Sequence, residues 1–144
     1  AYFYCKNKKL KFLEFFDIIC VSIPLGQSIG RWGNFTNSEA YGTQTNLPWA
    51  IEINGNMVHP TFLYESLWNL SLFIFLMILF RRKRFDGQII SLYLIIYSVG
   101  RFFIEYLRTD ALMIMGLRTA QITSIILILL GIILYVYCKN RKVN

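Results

Sequence analysis

Three apolar runs, each close to the length of a bilayer crossing, constrain this chain more than any other feature. Phe62 to Phe80 covers 19 residues and is interrupted by Glu65 and Asn69. Gln88 to Leu107 covers 20 residues and carries Arg101 and Glu105. Ala120 to Cys138 covers 19 residues without a charge. At 1.5 Å per residue, about 20 helical residues match the roughly 30 Å of a hydrocarbon core. A fourth, weaker run, Phe12 to Ile29, contains Glu14, Asp17 and Pro24, and reads as a partly buried or broken helix. The opening Tyr2-Phe-Tyr-Cys5 reads as the tail of an earlier span, and the first residue is Ala, so the start of a longer protein is expected to be missing.

Composition agrees with spans. Of 144 residues, 56% are hydrophobic and 16% charged, with mean hydropathy +0.46. A soluble domain usually carries about a quarter charged residues. So small a soluble protein could not cover this much apolar surface with its own polar groups. A disordered chain is excluded for the same reason. Cys5, Cys20 and Cys138 are odd in number and lie in or beside apolar runs, so they suggest neither a disulfide framework nor a metal site.

The net charge of +7 is explained by where it sits. Lys6, Lys8, Lys9 and Lys11 form one basic cluster, Arg81, Arg82, Lys83 and Arg84 a second, and Lys139, Arg141 and Lys142 a third. The positive-inside rule places all three in the cytoplasm. The chain then leaves through 12–29, stays outside over 30–61, returns through 62–80, leaves through 88–107, turns outside at 108–119 and returns through 120–138. Every cluster falls inside without forcing. The expectation is an all-α, polytopic helical membrane protein. It forms one transmembrane domain over 1–144, with about four crossing segments, a polar extracytoplasmic segment at about 40–61 and a cytoplasmic C-terminus. No nucleic-acid partner is expected, because basic and aromatic residues do not interleave as they do in RNA-binding surfaces.

Four basic residues lie outside the clusters, and all are arginines: Arg31, Arg101, Arg108 and Arg118. Arginine presents a planar five-donor fork that suits phosphate or carboxylate. A charge in a span costs at least ~2.5–3.5 kcal/mol, which makes an intramembrane arginine a functional candidate. Arg101, Glu105 and Arg108 fall at i, i+4 and i+7, on one helix face. They form either an ion-pair stripe that joins helices or, since two arginines face one glutamate, a site for an anion such as a lipid phosphate.

Two further stretches are dense in polar groups. Gly30-Arg-Trp-Gly-Asn-Phe-Thr-Asn-Ser-Glu-Ala-Tyr-Gly42 holds Arg31, Asn34, Asn37 and Glu39 between glycines that permit close backbone approach. Arg31 and Asn34 would share a face if this segment is helical; the ordinary alternative is a solvated polar turn. His59-Pro-Thr-Phe-Leu-Tyr-Glu65 opens the second span, with Pro60 suited to the first helical position and Glu65 favoured by the helix dipole. A single histidine at a helix entry is more often an anchor than a catalyst. No catalytic triad, phosphate-binding glycine loop or metal-ligand spacing is present.

Together these blocks resemble the prolipoprotein diacylglyceryl transferases. The Gly30–Gly42 stretch is similar to that family's signature, His59–Glu65 to a second block, and Gly100-Arg-Phe…Glu105…Arg108 to a third. Asp17, Pro24-Leu-Gly26 and Gln121 also fall where the family has them. The resemblance covers essentially the whole chain in the right order. It implies a multi-pass enzyme of the bacterial plasma membrane with no metal or organic cofactor. Such an enzyme transfers the diacylglyceryl group of phosphatidylglycerol to the lipobox cysteine of a prolipoprotein signal peptide, forms a thioether and releases glycerol-1-phosphate.

By the resemblance, Arg31 and Arg101 are catalytic, with Arg31 also lipid-binding. Asn34, Asn37, Glu39, Gly42, His59, Tyr64, Glu65, Glu105 and Arg108 are the substrate-binding or supporting positions. The family also carries a His-Gly-Gly block on an earlier span, whose histidine is a proposed base for the substrate thiol. The 144 residues begin after it and resemble roughly the C-terminal half. His59 belongs to a different block and does not replace that base. Arg101→Ala is expected to abolish transfer and Arg118→Ala not to. Readings from other classes are a lipid-headgroup transporter and a membrane assembly subunit with buried arginines. The first lacks an internal repeat, and the second would tolerate exchanging Arg101 and Glu105.

Overall fold

A computed structural model describes residues 11–109, 113–114 and 117–143. The opening Tyr2–Cys5 and the lysines Lys6, Lys8 and Lys9 lie outside the described residues. Four long helices dominate: α1 (Phe12–Thr36), α2 (Thr61–Phe80), α3 (Gln88–Leu107) and α4 (Thr119–Val143). All four contain windows long and apolar enough to cross a membrane. They run alternately up and down. One end of the bundle therefore gathers the end of α1, the start of α2 and the α3–α4 connection, here called the loop end. The other gathers the start of α1, the α2–α3 turn and the end of α4, here called the turn end.

The helices meet through small and polar residues. On α1, Asp17, Cys20, Pro24 and Ser28 are buried at helical spacing, and this stripe faces α2 and α3. Hydrogen bonds join it to α2: Ser28 Oγ donates to the Ser66 carbonyl at 2.8 Å, and Ser66 Oγ to the Ser28 carbonyl at 3.0 Å. Gln27 Nε2 donates to the Tyr93 hydroxyl on α3 at 3.0 Å. Between α3 and α4, a methyl at Gly131 would stand 2.7 Å from Ile95 Cγ1, so only glycine allows that approach. Close packing of small residues is how helices associate where lipid removes the hydrophobic drive. The outward faces are apolar instead, with Ile125, Ile126, Leu129, Ile133 and Tyr137 exposed along α4.

Three local expectations change. Pro24 does not break α1, which runs through it to Thr36, so Arg31 and Asn34 stand on the last turns of the helix rather than in a turn. Pro60 is the N-cap of α2, not its first helical residue; its carbonyl accepts the amides of Leu63 and Tyr64. Arg108 is not on the α3 face. α3 ends at Leu107, and Arg108 turns extended (ψ 142°) because its backbone pairs with Gly42.

The 37–60 segment is ordered by hydrogen bonding across the loop end. Ile51–Ile53 (β1) and Asn56–Val58 (β2) form an antiparallel hairpin. Asn54 and Gly55 both take positive φ in its two-residue turn, as such hairpins require. A second pair, Met113–Ile114 (β3) and Leu117–Arg118 (β4), lies before α4.

Candidate functional site

Glu65 is the centre of the loop end. It sits one turn into α2, is 5% exposed, and faces α1 and α3. In water a carboxylate is solvated; here its partners are arginines from three places in the chain. Arg31 of α1 brings Nε to 2.5 Å from Glu65 Oε2. Arg101 of α3 bonds Glu65 Oε1 through Nη1 and reaches Glu105 Oε2 through Nη2 at 2.9 Å. Arg108, just beyond α3, places Nη1 3.9 Å from Glu65 Oε1. Glu105 is 3% exposed and sits below them on α3. A buried carboxylate with this many ionic donors is compensated for its lost hydration.

Among the described residues, Arg31, Arg101 and Arg108 converge on the carboxylates Glu65 and Glu105. Arg118, from β4, adds a further charge at the edge by donating to the Glu105 backbone carbonyl. The side chains of Arg31 and Arg101 stay 23% and 20% exposed. Charge-assisted arginine donors in a partly dry site are suited to binding a phosphate.

The remaining site residues frame this cluster. Gly42 donates its amide to the His59 carbonyl at 2.9 Å, and Thr43 donates to the Leu107 carbonyl at 2.8 Å. These bonds lay the 39–45 strap across the end of α3. Gly42 has no room for a side chain: a Cβ would stand 2.6 Å from His59 Cβ. His59 Nδ1 lies 3.2 Å from the Tyr64 hydroxyl, which also accepts the Trp49 indole N–H at 2.8 Å. His59 is thus an anchor in an aromatic trio beside Glu65. Asn34, Asn37 and Glu39 are not drawn in. Their side chains make no hydrogen bond or ion pair among the described residues, and they enter through backbone: Glu39 N–H to the Asn34 carbonyl at 2.9 Å, Asn37 as the α1 C-cap.

A groove of about 460 Å³ opens between α2 and α3, bordered by Tyr64, Trp68, Phe103 and Leu107. On its wall the Trp68 indole packs against Gly100, in the space a side chain there would need, and donates to the Ile96 carbonyl at 3.1 Å. A small void of about 10 Å³ between Glu65, Asn69, Tyr97 and Arg101 lies beside the groove.

The sequence pattern does not show that Glu65 is the hub of the ion pairs; charge beside apolar spacing marks such residues but does not pair them. The β1–β2 hairpin was legible in principle, because Asn54-Gly55 between two short apolar runs is the standard signal for a tight hairpin turn.

Comparison with known proteins accords with this arrangement. The model of the prolipoprotein diacylglyceryl transferase family matches residues 1–137. A phosphatidylglycerol–prolipoprotein diacylglyceryl transferase from Finegoldia magna is 56% identical over 145 residues, covering 100% of this chain and 58% of the relative. The enzyme of that name from Clostridioides difficile is 50% identical over 144 residues, with the same coverage. One from Prochlorococcus marinus is 51% identical over 170 residues, covering 97% of this chain and 57% of the relative. The chain therefore spans under three-fifths of the length of these relatives. With four apolar helices, an arginine cluster built from the matching blocks, and a family match along nearly its whole length, the chain belongs to the prolipoprotein diacylglyceryl transferase family.

Proposed function

We propose that this chain carries the lipid-binding and leaving-group half of a phosphatidylglycerol–prolipoprotein diacylglyceryl transferase. The complete enzyme, in the bacterial plasma membrane, takes phosphatidylglycerol and the lipobox cysteine of a prolipoprotein. The loop end faces outward and the end of α4 faces the cytoplasm. One observation carries the reading: Arg31, Arg101 and Arg108, from three places in the chain, converge on the buried Glu65.

The reaction joins the cysteine sulfur to the terminal glyceryl carbon of the lipid. The bond from that carbon to the phosphate oxygen breaks, and its electron pair leaves with glycerol-1-phosphate. Negative charge grows on the departing phosphate, and pre-positioned arginines in a site poor in water stabilise that growth more than solvent would. Arg101 and Arg31 take this role. Glu65 and Glu105 hold the guanidinium planes in place, so little reorganisation is needed as charge develops. The thiol must lose a proton, since the thiolate is the nucleophile. The resemblance assigns that step to the histidine of an earlier block, and His59, bonded to Tyr64, is a positioning residue. The α2–α3 groove gives an acyl chain a lateral path from the bilayer. Holding both substrates in one site removes much of the entropic barrier.

The test is a transfer assay. Membranes containing this chain, or this chain joined to the N-terminal half of a family member, receive phosphatidylglycerol and a lipobox peptide. A mobility shift reports the thioether. The joined form is expected to transfer and its Arg101→Ala variant not to. Normal transfer by Arg101→Ala would sink the proposal. Activity in the double exchange Arg101→Glu with Glu105→Arg would favour a purely structural ion pair instead.

A further inference from the structure

Asn69 interrupts the second apolar run, and the transfer reaction gives it no task. It lies one helical turn after Glu65 on α2 and is 2% exposed. A buried amide in a membrane-spanning helix is costly unless it is hydrogen-bonded. Among the described residues, nothing donates to Asn69 Oδ1. Buried oxygens of native proteins are nearly always satisfied, by protein groups or by ordered water.

The void of about 10 Å³ beside the groove is lined by Glu65, Trp68, Asn69, Tyr97, Arg101 and Ile104, from α2 and α3 alone. Its volume is about what one water needs, and far too small for a phosphate. An internal water also needs roughly two to four polar partners, and Glu65, Asn69, Tyr97 and Arg101 are polar. Donors and acceptors match. Asn69 Oδ1 and the Glu65 carboxylate accept, the Arg101 guanidinium donates, and a water does both. Arg101 itself bonds Glu65 and Glu105, not Asn69.

We propose that one buried water joins Asn69 Oδ1 to Arg101 and Glu65, and that Asn69 is thereby a positioning residue for Arg101. The second half rests on the transferase reading. The water accepts a hydrogen bond from the guanidinium and donates to the two oxygens. Bridges of this kind hold nearly as well as direct hydrogen bonds. A neutral partner also fixes the guanidinium plane without adding a negative charge that a lipid phosphate would have to compete with. A further carboxylate at position 69 would hold Arg101 as firmly, but would draw the same charge away from the lipid.

Structures of the joined form, at a resolution that shows ordered water, test the first half. One water is expected within hydrogen-bond distance of Asn69 Oδ1 and Arg101, and it should be absent from Asn69→Leu. A dry void in the unaltered protein, or an Asn69 side chain bonded directly to Glu65 or Arg101, would overturn the proposal. Transfer kinetics test the second half. Asn69→Leu should lower kcat about tenfold, as loss of a group that orients a reactive side chain does. Its Km for phosphatidylglycerol should not change. Its thermal midpoint should not fall, because the substitution also removes a buried amide. A lower midpoint with kcat intact would make Asn69 a structural bond and defeat the proposal. Asn69→Gln carries its carbonyl into the water's place and should keep kcat within about threefold. It decides the matter if Asn69→Leu fails to fold: a glutamine variant that folds but has lost transfer shows that the carbonyl is not what holds Arg101. Normal transfer by Arg101→Ala would defeat the transferase reading, while the water would still show whether Asn69 is joined to Arg101.

Discussion

Glu65 and Asp17 are both buried carboxylates held by groups distant in sequence, yet different chemistry holds them. Asp17, fully buried, accepts three backbone amides at the start of α3. Amides are fixed by the helix and each gives one bond, and with Lys83, the one side-chain cation on it among the described residues, they fill about the four acceptor sites of a carboxylate. Glu65 is held by three long arginine side chains, each partly open. The first arrangement is closed and has nothing to offer a ligand. The second is held in place but not saturated. A buried carboxylate in a membrane helix can therefore be a staple or the keel of a binding site, and its donors decide which.

The sharpest way to break the comparison is to remove a donor at the loop end and the acceptor at the turn end. Arg101→Ala in the complete enzyme should lower transfer by about a thousandfold, the upper range for deleting one donor to a developing anion. Arg118→Ala should cost less than about tenfold, because Arg118 reaches a backbone carbonyl and not Glu65. Transfer kinetics with a lipobox peptide separate the two. Asp17→Ala should act on stability instead. Three amides would lose their acceptor at about 1 kcal/mol or more each, a large part of a typical folding margin. The thermal midpoint in detergent should fall steeply, while the protein that stays folded keeps its Km for phosphatidylglycerol. A raised Km would show that the turn end is not merely a staple.

Gly42→Ala tests the frame between these extremes. The added methyl meets His59 and Thr61, so the strap must lift from the end of α3 at about 1–3 kcal/mol. Transfer should drop about tenfold with a modest loss of stability. The smallest effect concerns Asp86, outside the spans. Burial alone would raise its carboxyl, but hydrogen bonds and charge from Lys11 and Lys83 outweigh that and hold it below its usual 3.8. A lowered folded value means its contribution is present above the unfolded value and is lost as pH falls through the folded one. Thermal midpoints should therefore show a small extra decline below about pH 4 that Asp86→Asn removes.

Much of this was legible in the chain itself. Four apolar runs became four long helices, because hydropathy is a local sum that needs no knowledge of neighbours. The candidate arginines stood out for the same reason: charge within or beside an apolar run is costly, and arginine is the side chain suited to a phosphate. The details that sequence spacing leaves open are those governed by contacts at a distance. Arg108 continues the helical spacing of Arg101 and Glu105, yet pairing with Gly42 draws it out of the helix. Asn34, Asn37 and Glu39 sit in the signature stretch as prominently as Arg31, yet only Arg31 points to Glu65.

By itself, then, the sequence determined the number and length of the helices, the clustering of basic residues between them, and which polar residues were too costly to be incidental. Tertiary structure alone decided that Glu65 is the hub, that Asp17 caps a helix 70 residues away, and that Asn69 comes to line a void beside Arg101. The reason is physical. Burial preference belongs to each residue, whereas an ion pair depends on distance and orientation. Those were set only when Ser28 met Ser66 and Gly131 let α4 close on α3.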